Sequence, residues 1–81
     1  MNINELRAQM ARHGDNNTEL AEALGVSLSG ISNRLNGKQA FTLAEVQIII
    51  DRYNLTPAEV VLIFFTPKVA ENETEVVRNG N

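Results

Sequence analysis

The chain has 81 residues, a length that fits a single domain with a small hydrophobic core. Its composition, 43% hydrophobic and 21% charged, is that of an ordinary globular protein, and the absence of cysteine excludes a disulfide framework and a thiolate metal site. The formal net charge of −3 excludes a strongly basic protein, so an anionic partner would have to meet a local positive surface.

The first predicted helix covers residues 2–13. Ile3, Leu6 and Met10 recur at helical spacing, and Gly14 follows as a stop signal. Acidic and basic residues are mixed in this opening stretch, which has no apolar core of signal-peptide type. No part of the chain approaches the ~20 apolar residues of a membrane span. We therefore expect a protein of the reducing cytoplasm with no membrane partner.

Two short helices joined by a tight turn are predicted over residues 17–37, the first over residues 17–24 and the second over residues 28–36. Each carries apolar side chains on one side, so the two helices must bury these sides against each other. Asn16 and Ser27 fit as their N-caps, and Gly25 is placed where the turn needs a positive φ. The apolar positions are Leu20, Ala21 and Leu24 in the first of these helices and Ile31 and Leu35 in the second.

The spacing of these residues is that of a helix-turn-helix. The small residue Ala21 is followed four positions later by Gly25, then by Val26, and Ile31 lies six positions after the glycine. In that motif the second helix enters the major groove of DNA. The alternative is an αα-hairpin within an ordinary helical bundle. Gly30, inside the second helix, fits either close approach to DNA or packing against the first helix.

The negative charge is unevenly distributed along the chain. Residues 69–81 carry three acidic side chains and one basic side chain, a balance of −2, whereas residues 1–68 carry seven acidic and six basic side chains, a balance of −1. Arg34 and Lys38 lie at the end of the second motif helix. Duplex DNA requires local positive potential, and this weak field predicts modest affinity per subunit and a need for dimerisation.

Two further helices are predicted, from Thr42 to about Tyr53 and from Pro57 to Phe64 or Phe65. Each begins with a capping box, Thr42–Glu45 and Thr56–Glu59, and Pro57 takes the first helical position of the later helix. The later helix is apolar nearly all round, which predicts that it is enclosed or covered by a partner. The apolar positions are Leu43, Val46, Ile49, Ile50 and Tyr53 in the fourth helix and Val60, Val61, Ile63 and Phe64 in the fifth.

After Pro67 the sequence becomes polar and acidic. We therefore divide the chain into a helix-turn-helix domain over residues 1–66 and a flexible tail over residues 67–81. The alternative for the tail is a short strand, within residues 68–70 or 75–78, that pairs with a second subunit.

Residues that carry catalysis or bind metals are scarce. His13 is the single histidine, and a metal site needs more ligands than one histidine and scattered carboxylates supply. A serine nucleophile would have only His13 as its base, and His13 fits a helix C-terminus or a phosphate contact. The acidic side chains, including Glu45, fit solvated helix faces and caps. We expect no enzymatic activity, no metal, no cofactor and no small-molecule ligand.

The motif and its sequel resemble the Cro/CI-type helix-turn-helix regulators of the Xre family. The later run, with F-T-L-x-E at residues 41–45 and I-F-F at residues 63–65, is similar to small repressors of temperate phages of Gram-positive bacteria. The resemblance covers about residues 3–66. It implies a compact, all-α, five-helix, lambda-repressor-like domain that binds operator DNA as a homodimer. The matching positions in the motif are Leu20-Ala21, Leu24-Gly25-Val26-Ser27, Ile31-Ser32 and Asn36-Gly37-Lys38.

The resemblance also implies which residues contact DNA. Asn33 would pair with adenine and Leu28 would pack on a thymine methyl group. Many relatives have Leu or Trp followed by Glu where this chain has Arg34 and Leu35, so we expect Arg34 to face the DNA backbone instead of the core. Many also have Gln where this chain has the shorter Asn17. The implied base-reading residues are Leu28, Ser29, Ser32 and Asn33, and the implied backbone contacts are Asn17, Thr18, Arg34, Asn36, Lys38 and Gln39.

These observations predict a sequence-specific repressor of phage or prophage type in the bacterial cytoplasm, associated with the nucleoid. Its partners would be double-stranded operator DNA and a second copy. The chain is too short to include the self-cleaving domain of long phage repressors, which predicts a Cro-like protein, a small repressor or a piece of a longer protein. The apolar excess of the fifth helix predicts a dimer interface formed by Val61, Leu62, Phe64 and Phe65.

Two alternatives to this function remain open. One is an antitoxin that represses its own operon and binds a toxin through the acidic tail, which would become ordered on contact. The other is a protein-interaction module that has a helix-turn-helix fold and no longer contacts DNA.

Overall fold

The computed structural model describes residues 1–65. They form five helices and no strand, and none of these helices has the length and apolar content that a membrane crossing requires. The predicted all-α, five-helix fold is confirmed, although the first helix is one residue shorter than predicted at each end and the third is one residue shorter at its C-terminus. The predicted tail and its alternative strand lie outside the described residues. The helices are α1 (Ile3–Arg12), α2 (Asn17–Leu24), α3 (Leu28–Leu35), α4 (Leu43–Tyr53) and α5 (Pro57–Phe64).

Each helix begins at a side chain that accepts a hydrogen bond from the backbone. In every case the donor is the amide three positions later. In α2, α4 and α5 the glutamate at that position accepts in return from the amide of the cap residue, so both partners satisfy an otherwise free donor. The cap residues are Asn2, Asn16, Ser27, Thr42 and Thr56.

The turn between α2 and α3 depends on Gly25. Its φ of 72° lies in the left-handed region, which an L side chain adopts only with strain. The next amide, that of Val26, donates to the carbonyl oxygen of Ala21 at 3.0 Å and closes the end of α2. The predicted tight turn is therefore present, and it directs α3 back across α2.

The hydrophobic core draws one fully buried side chain from every helix: Leu6, Leu20, Ile31, Ile49 and Ile63. α2 packs more extensively on α3 than any other pair of helices does, while α1 packs on α5 and α2 packs on α4. The helix-turn-helix pair is therefore joined to the other helices through the packing of α2 on α4 and through the shared core, and one side of α3 lies at the surface.

A polar network joins the α1–α2 turn to the end of α4. Asp15 accepts two hydrogen bonds from Arg52, at 2.7 and 2.8 Å, and one from the Tyr53 hydroxyl at 2.6 Å. The hydrogen bonds from Arg52 hold the pKa of Asp15 below its ordinary value, and burial raises the pKa of Tyr53. The Tyr53 ring also stacks on His13, the C-cap of α1, with ring centroids 4.9 Å apart. The network therefore fixes the turn from which α2 begins.

The predicted core position of Leu43 is wrong, and of the two alternatives for the fifth helix only cover by a partner remains open. Leu43 is 85% exposed rather than part of the core, because as the first residue of α4 it lies at the edge of the side that buries Ile49. The fifth helix is not enclosed within residues 1–65: Ile63 is its only buried residue, and Phe64 is half-buried against the core. An apolar surface therefore remains along α5.

Candidate nucleic-acid interface

One side of α3 faces solvent. At about 100° per residue, Leu28 and the exposed and half-buried polar positions on this side together span an arc of about 140°. The opposite side is buried through Ile31, Arg34 and Leu35. Leu28, at the start of the exposed side, is 55% exposed although it is apolar. The residues on this surface, which we call the α3 face, are Leu28, Ser29, Ser32, Asn33 and Asn36.

The polar side chains of the α3 face differ in their engagement. The Ser29 hydroxyl lies 3.3 Å from the hydroxyl of the cap residue Ser27, and the side-chain Nδ2 of Asn36 donates to the Ser32 hydroxyl at 3.4 Å. Within residues 1–65, the Asn33 carboxamide makes no hydrogen bond and is exposed. A carboxamide has a donor and an acceptor side by side, which is the pattern that pairs with the major-groove edge of adenine.

A cleft of about 610 Å³ lies where α1, the start of α2 and the start of α3 meet. Four predicted DNA contacts line it together: Asn17 and Thr18 from α2, and Leu28 and Ser32 from the α3 face. The structure thus places the N-terminus of α2 beside the predicted base-reading residues, although these belong to different helices.

The expectation that Arg34 faces the DNA backbone is wrong. Its side chain is 8% exposed and forms a bidentate ion pair with Glu45, in which Nε donates to Oε1 at 2.8 Å and Nη2 donates to Oε2 at 3.0 Å. The third nitrogen, Nη1, donates to the carbonyl oxygen of Gly30 at 3.0 Å. Arg34 lies on the side of α3 that faces the start of α4, where this carboxylate satisfies the guanidinium. It is therefore a link between helices.

The prediction that Glu45 lies on a solvated face is also wrong, while its capping role is confirmed. The Oε1 atom that binds Arg34 also accepts from the amide of Thr42 at 3.0 Å. The hydrogen bonds from Arg34 hold the pKa of Glu45 below its ordinary value, against the opposing effect of burial. The Glu45 carboxylate thus caps the N-terminus of α4 and also joins α3 to α4. We call this arrangement of Arg34, Glu45 and the Gly30 carbonyl the α3–α4 clamp.

Gly30 has a role that neither sequence interpretation proposed. A Cβ atom there would lie 3.1 Å from the hydroxyl oxygen of the cap residue Ser27 and 3.2 Å from Nη1 of Arg34 in the next turn of α3. Its missing side chain therefore makes room for the guanidinium of the α3–α4 clamp, and none of the nearest atoms belongs to α2.

A helix-turn-helix family model, HTH_3, matches residues 6–60, which is more than half of the chain. The chain belongs to the Xre/Cro/CI-type helix-turn-helix family. A search of curated proteins and a search of solved structures each found no significant match. Domains of this family bind DNA and are typically not enzymes. Across residues 1–65, His, Asp and Glu side chains form no group of three or more that could hold a metal ion.

In this helix-turn-helix domain two predicted backbone contacts, Lys38 and Gln39, lie in the turn after α3 but belong to different surfaces. The amides of Lys38 and Gln39 both donate to the carbonyl oxygen of Asn33, at 2.9 and 3.3 Å. Lys38 is exposed just beyond the end of α3. Gln39 lines a different surface, together with Phe41 and Phe65, so it is not part of the cleft beside the α3 face.

That second surface is an apolar groove of about 510 Å³ between the start of α1, the start of α4 and the end of α5. Phe65, which is 69% exposed, and the half-buried Phe64 both line it. The other two predicted dimer residues, Val61 and Leu62, are exposed on α5. Sequence reasoning missed the contributions of Phe41, Leu43 and Val46, because they precede or begin α4 and lie far from α5 in the chain.

Sequence reasoning also missed Arg7. It lies on α1, is exposed, and lines the cleft together with Met10 and Ala11 from the following turn. The available signal was its helical spacing to these two residues, which shows that the three share one side of α1.

The α3–α4 clamp predicts a stability hierarchy among arginine variants. Arg34→Met leaves the buried Glu45 carboxylate without its cation and lowers the free energy of unfolding by about 3 kcal/mol. Arg52→Met removes a more exposed arginine, and the Asp15 carboxylate left behind keeps its hydrogen bond from the Tyr53 hydroxyl, so this variant lowers the free energy of unfolding by only about 1 kcal/mol. Adding Glu45→Gln to Arg34→Met neutralises the carboxylate but keeps a capping oxygen, so stability recovers in part. Urea unfolding followed by circular dichroism measures all three.

The same clamp sets a dependence on pH. Since the pKa of Glu45 is lowered in the folded chain, its stabilisation is complete above about pH 4.3, the pKa of an unfolded glutamate, and is lost as the pH falls through the lower folded value. The double variant should have a smaller loss of stability over that acid range than the parent. Equal losses in parent and double variant, or equal effects of Arg34→Met and Arg52→Met at neutral pH, would contradict the clamp.

Proposed function

We propose that this protein is a sequence-specific transcriptional repressor of phage or prophage type that binds operator DNA as a homodimer, with α3 in the major groove. The observation that carries the proposal is the α3 face: a polar surface with an unengaged carboxamide, on the exposed side of the second motif helix. Membership of a DNA-binding helix-turn-helix family supports the use of that helix for DNA.

Base reading is proposed for four residues of the α3 face. Asn33 pairs with adenine through its carboxamide, and Leu28 packs on the methyl group of thymine. The hydroxyl groups of Ser29 and Ser32 are short and able to donate or accept, so they suit contacts to either base of a pair or contacts through water.

Backbone contacts are proposed for residues that flank this face. Asn17 and Thr18, beside the cleft, present side chains and first-turn amides to a phosphate at the N-terminus of α2. Asn36 and Lys38 act at the other end of α3. Arg34 is withdrawn from the set because the α3–α4 clamp occupies it, and Gln39 is withdrawn because it lines the apolar groove.

Homodimer formation is supported by the apolar surface along α5. Val61, Leu62 and Phe65 are exposed there, and Phe65 continues into the groove beside Leu43. A monomer rarely leaves a contiguous apolar surface of this kind in water. The α3 face belongs to a single short helix, and the chain carries a net charge of −3, so one copy is expected to bind DNA weakly. Two copies bound together would raise the affinity.

The phage-type and repressor assignments rest on the resemblance of residues 41–45 and 63–65 to small phage repressors. The antitoxin alternative depends on the tail, which lies outside the described residues. The interaction-module alternative has the apolar groove in its favour, and it is separated from the proposal by whether the α3 face contacts DNA.

Replacing Asn33 by Ala tests base reading. A base-reading asparagine contributes at one position, so Asn33→Ala should lose about 1–3 kcal/mol on the preferred DNA sequence and much less on random duplexes. Gln47→Ala, which removes an exposed carboxamide from α4, is the matched control and should leave both affinities unchanged. Fluorescence anisotropy on both DNAs provides the measurement. Equal affinities for parent and Asn33→Ala on the preferred sequence would refute the role of Asn33.

Replacing Phe65 by Asp tests the dimer. A carboxylate in the centre of an apolar interface loses its hydration without gaining a partner, so Phe65→Asp should elute as a monomer and bind operator DNA at least about tenfold more weakly. Ile48→Asp, also at an exposed apolar residue but outside the groove, should remain dimeric. Size-exclusion chromatography with light scattering distinguishes the two. A dimeric Phe65→Asp variant with unchanged DNA binding would place the interface elsewhere.

A further inference from the structure

The burial of Arg34 leaves the proposed DNA surface short of positive charge. Arg34 is engaged by Glu45, and Arg52 is engaged by Asp15 through two hydrogen bonds. The α3 face itself then presents no cation. If it binds DNA, the positive potential that attracts phosphates must come from neighbouring elements.

Three other basic side chains are described within residues 1–65, and they differ in their surroundings. Arg12 lies near Glu59, whose pKa is lowered mainly by the hydrogen bond from the Thr56 amide and to a lesser extent by the charge of Arg12. Arg7 and Lys38 are exposed and form no ion pair or hydrogen bond through their side chains in the described part of the chain. Lys38 follows the C-terminal end of α3, whereas Arg7 belongs to α1 and is far from the motif in sequence.

The fold brings Arg7 to the α3 face. Arg7 lines the same 610 Å³ cleft as Leu28 and Ser32, the two residues of the α3 face nearest α1, and as Thr18 at the start of α2. The Arg7 side chain therefore borders the surface proposed to enter the groove near the start of α3, whereas Lys38 lies just beyond the end of α3.

The acidic residue in this cleft does not neutralise Arg7. Asp15 also lines the cleft, but only 7% of its side chain is exposed. Both of its oxygens accept from Arg52, and one also accepts from the Tyr53 hydroxyl. The carboxylate is thus already compensated, and the guanidinium of Arg7 remains able to bind an external anion.

We propose that Arg7 is a DNA-backbone contact that binds a phosphodiester of the operator on the α1 side of α3. This inference rests on the proposed function and extends it, because the backbone contacts implied by the resemblance lie only on the motif helices and the turn after them. An exposed guanidinium binds a phosphate through two parallel N–H donors, which suits a contact that fixes the position of α3 without selecting a sequence.

The test compares Arg7→Ala with Arg12→Ala, which removes the same charge from the same helix but lies outside the cleft. Binding of the intact chain to a preferred duplex and to random duplexes is measured by fluorescence anisotropy over a series of salt concentrations. Arg7→Ala should weaken both affinities by a similar factor, about tenfold at low salt, and reduce the slope of log K against log salt by about 0.9 for each phosphate lost. Arg12→Ala should stay within about twofold of the parent, and Arg7→Lys should preserve the slope.

The outcomes separate this inference from the proposed function. A parent protein that binds no DNA at any salt concentration overturns both. A parent that binds a preferred sequence, while Arg7→Ala and Arg12→Ala have equal affinities and equal salt slopes, overturns the Arg7 contact alone. Circular dichroism of each variant establishes that the fold is retained, as expected for two exposed side chains.

Discussion

The Arg34–Glu45 ion pair joins α3, the helix proposed to read DNA, to the start of α4. Because Glu45 also caps α4 through the amide of Thr42, movement of the guanidinium would disturb both the position of α3 and the start of α4. Both side chains of the pair are almost completely buried from solvent, so loss of either partner leaves an uncompensated buried charge. The same ion pair explains the glycine at position 30, because a side chain there would contact the guanidinium. The orientation of the α3 face thus depends on a contact on its opposite side.

The clamp also accounts for the distribution of charge. A chain with a net charge of −3 uses one arginine to hold α3 and another, Arg52, to hold the α1–α2 turn through Asp15. Both arginines contribute to architecture, so within residues 1–65 the cations that remain near the α3 face are Arg7 and Lys38, which lie at its margins. Sequence specificity would then come from short polar side chains, while affinity would come from few phosphate contacts and from doubling of the subunit.

Local chemistry made most of the fold predictable, and contacts between helices made the rest unpredictable. Caps such as Thr42, the glycine turn at Gly25 and the apolar spacing around Ile31 act within a few residues, so the sequence alone located the five helices and the motif. Arg34 could not be placed in the same way. Its partner is eleven positions away on another helix, and a long cationic side chain on a helix fits either solvent or an ion pair until the packing of α3 against α4 is known. The surroundings of Leu43 and Arg7 were unpredictable for the same reason. Helical periodicity indicates on which side of a helix each residue lies, but the neighbours of that side depend on how α4 and α1 pack.

We propose that α3 reads a specific DNA sequence within a two-fold symmetric dimer. This proposal is tested by selection from a pool of random duplexes with the intact chain, followed by titration of the selected duplex over a range of salt concentrations. Such a dimer should select a palindromic sequence with half-sites about 34 Å apart and bind it at least about 10³-fold more tightly than bulk DNA, with affinity that falls steeply with salt. Weak binding to all duplexes, with no sequence enriched by the selection, would contradict it and favour a protein-interaction role for the same fold.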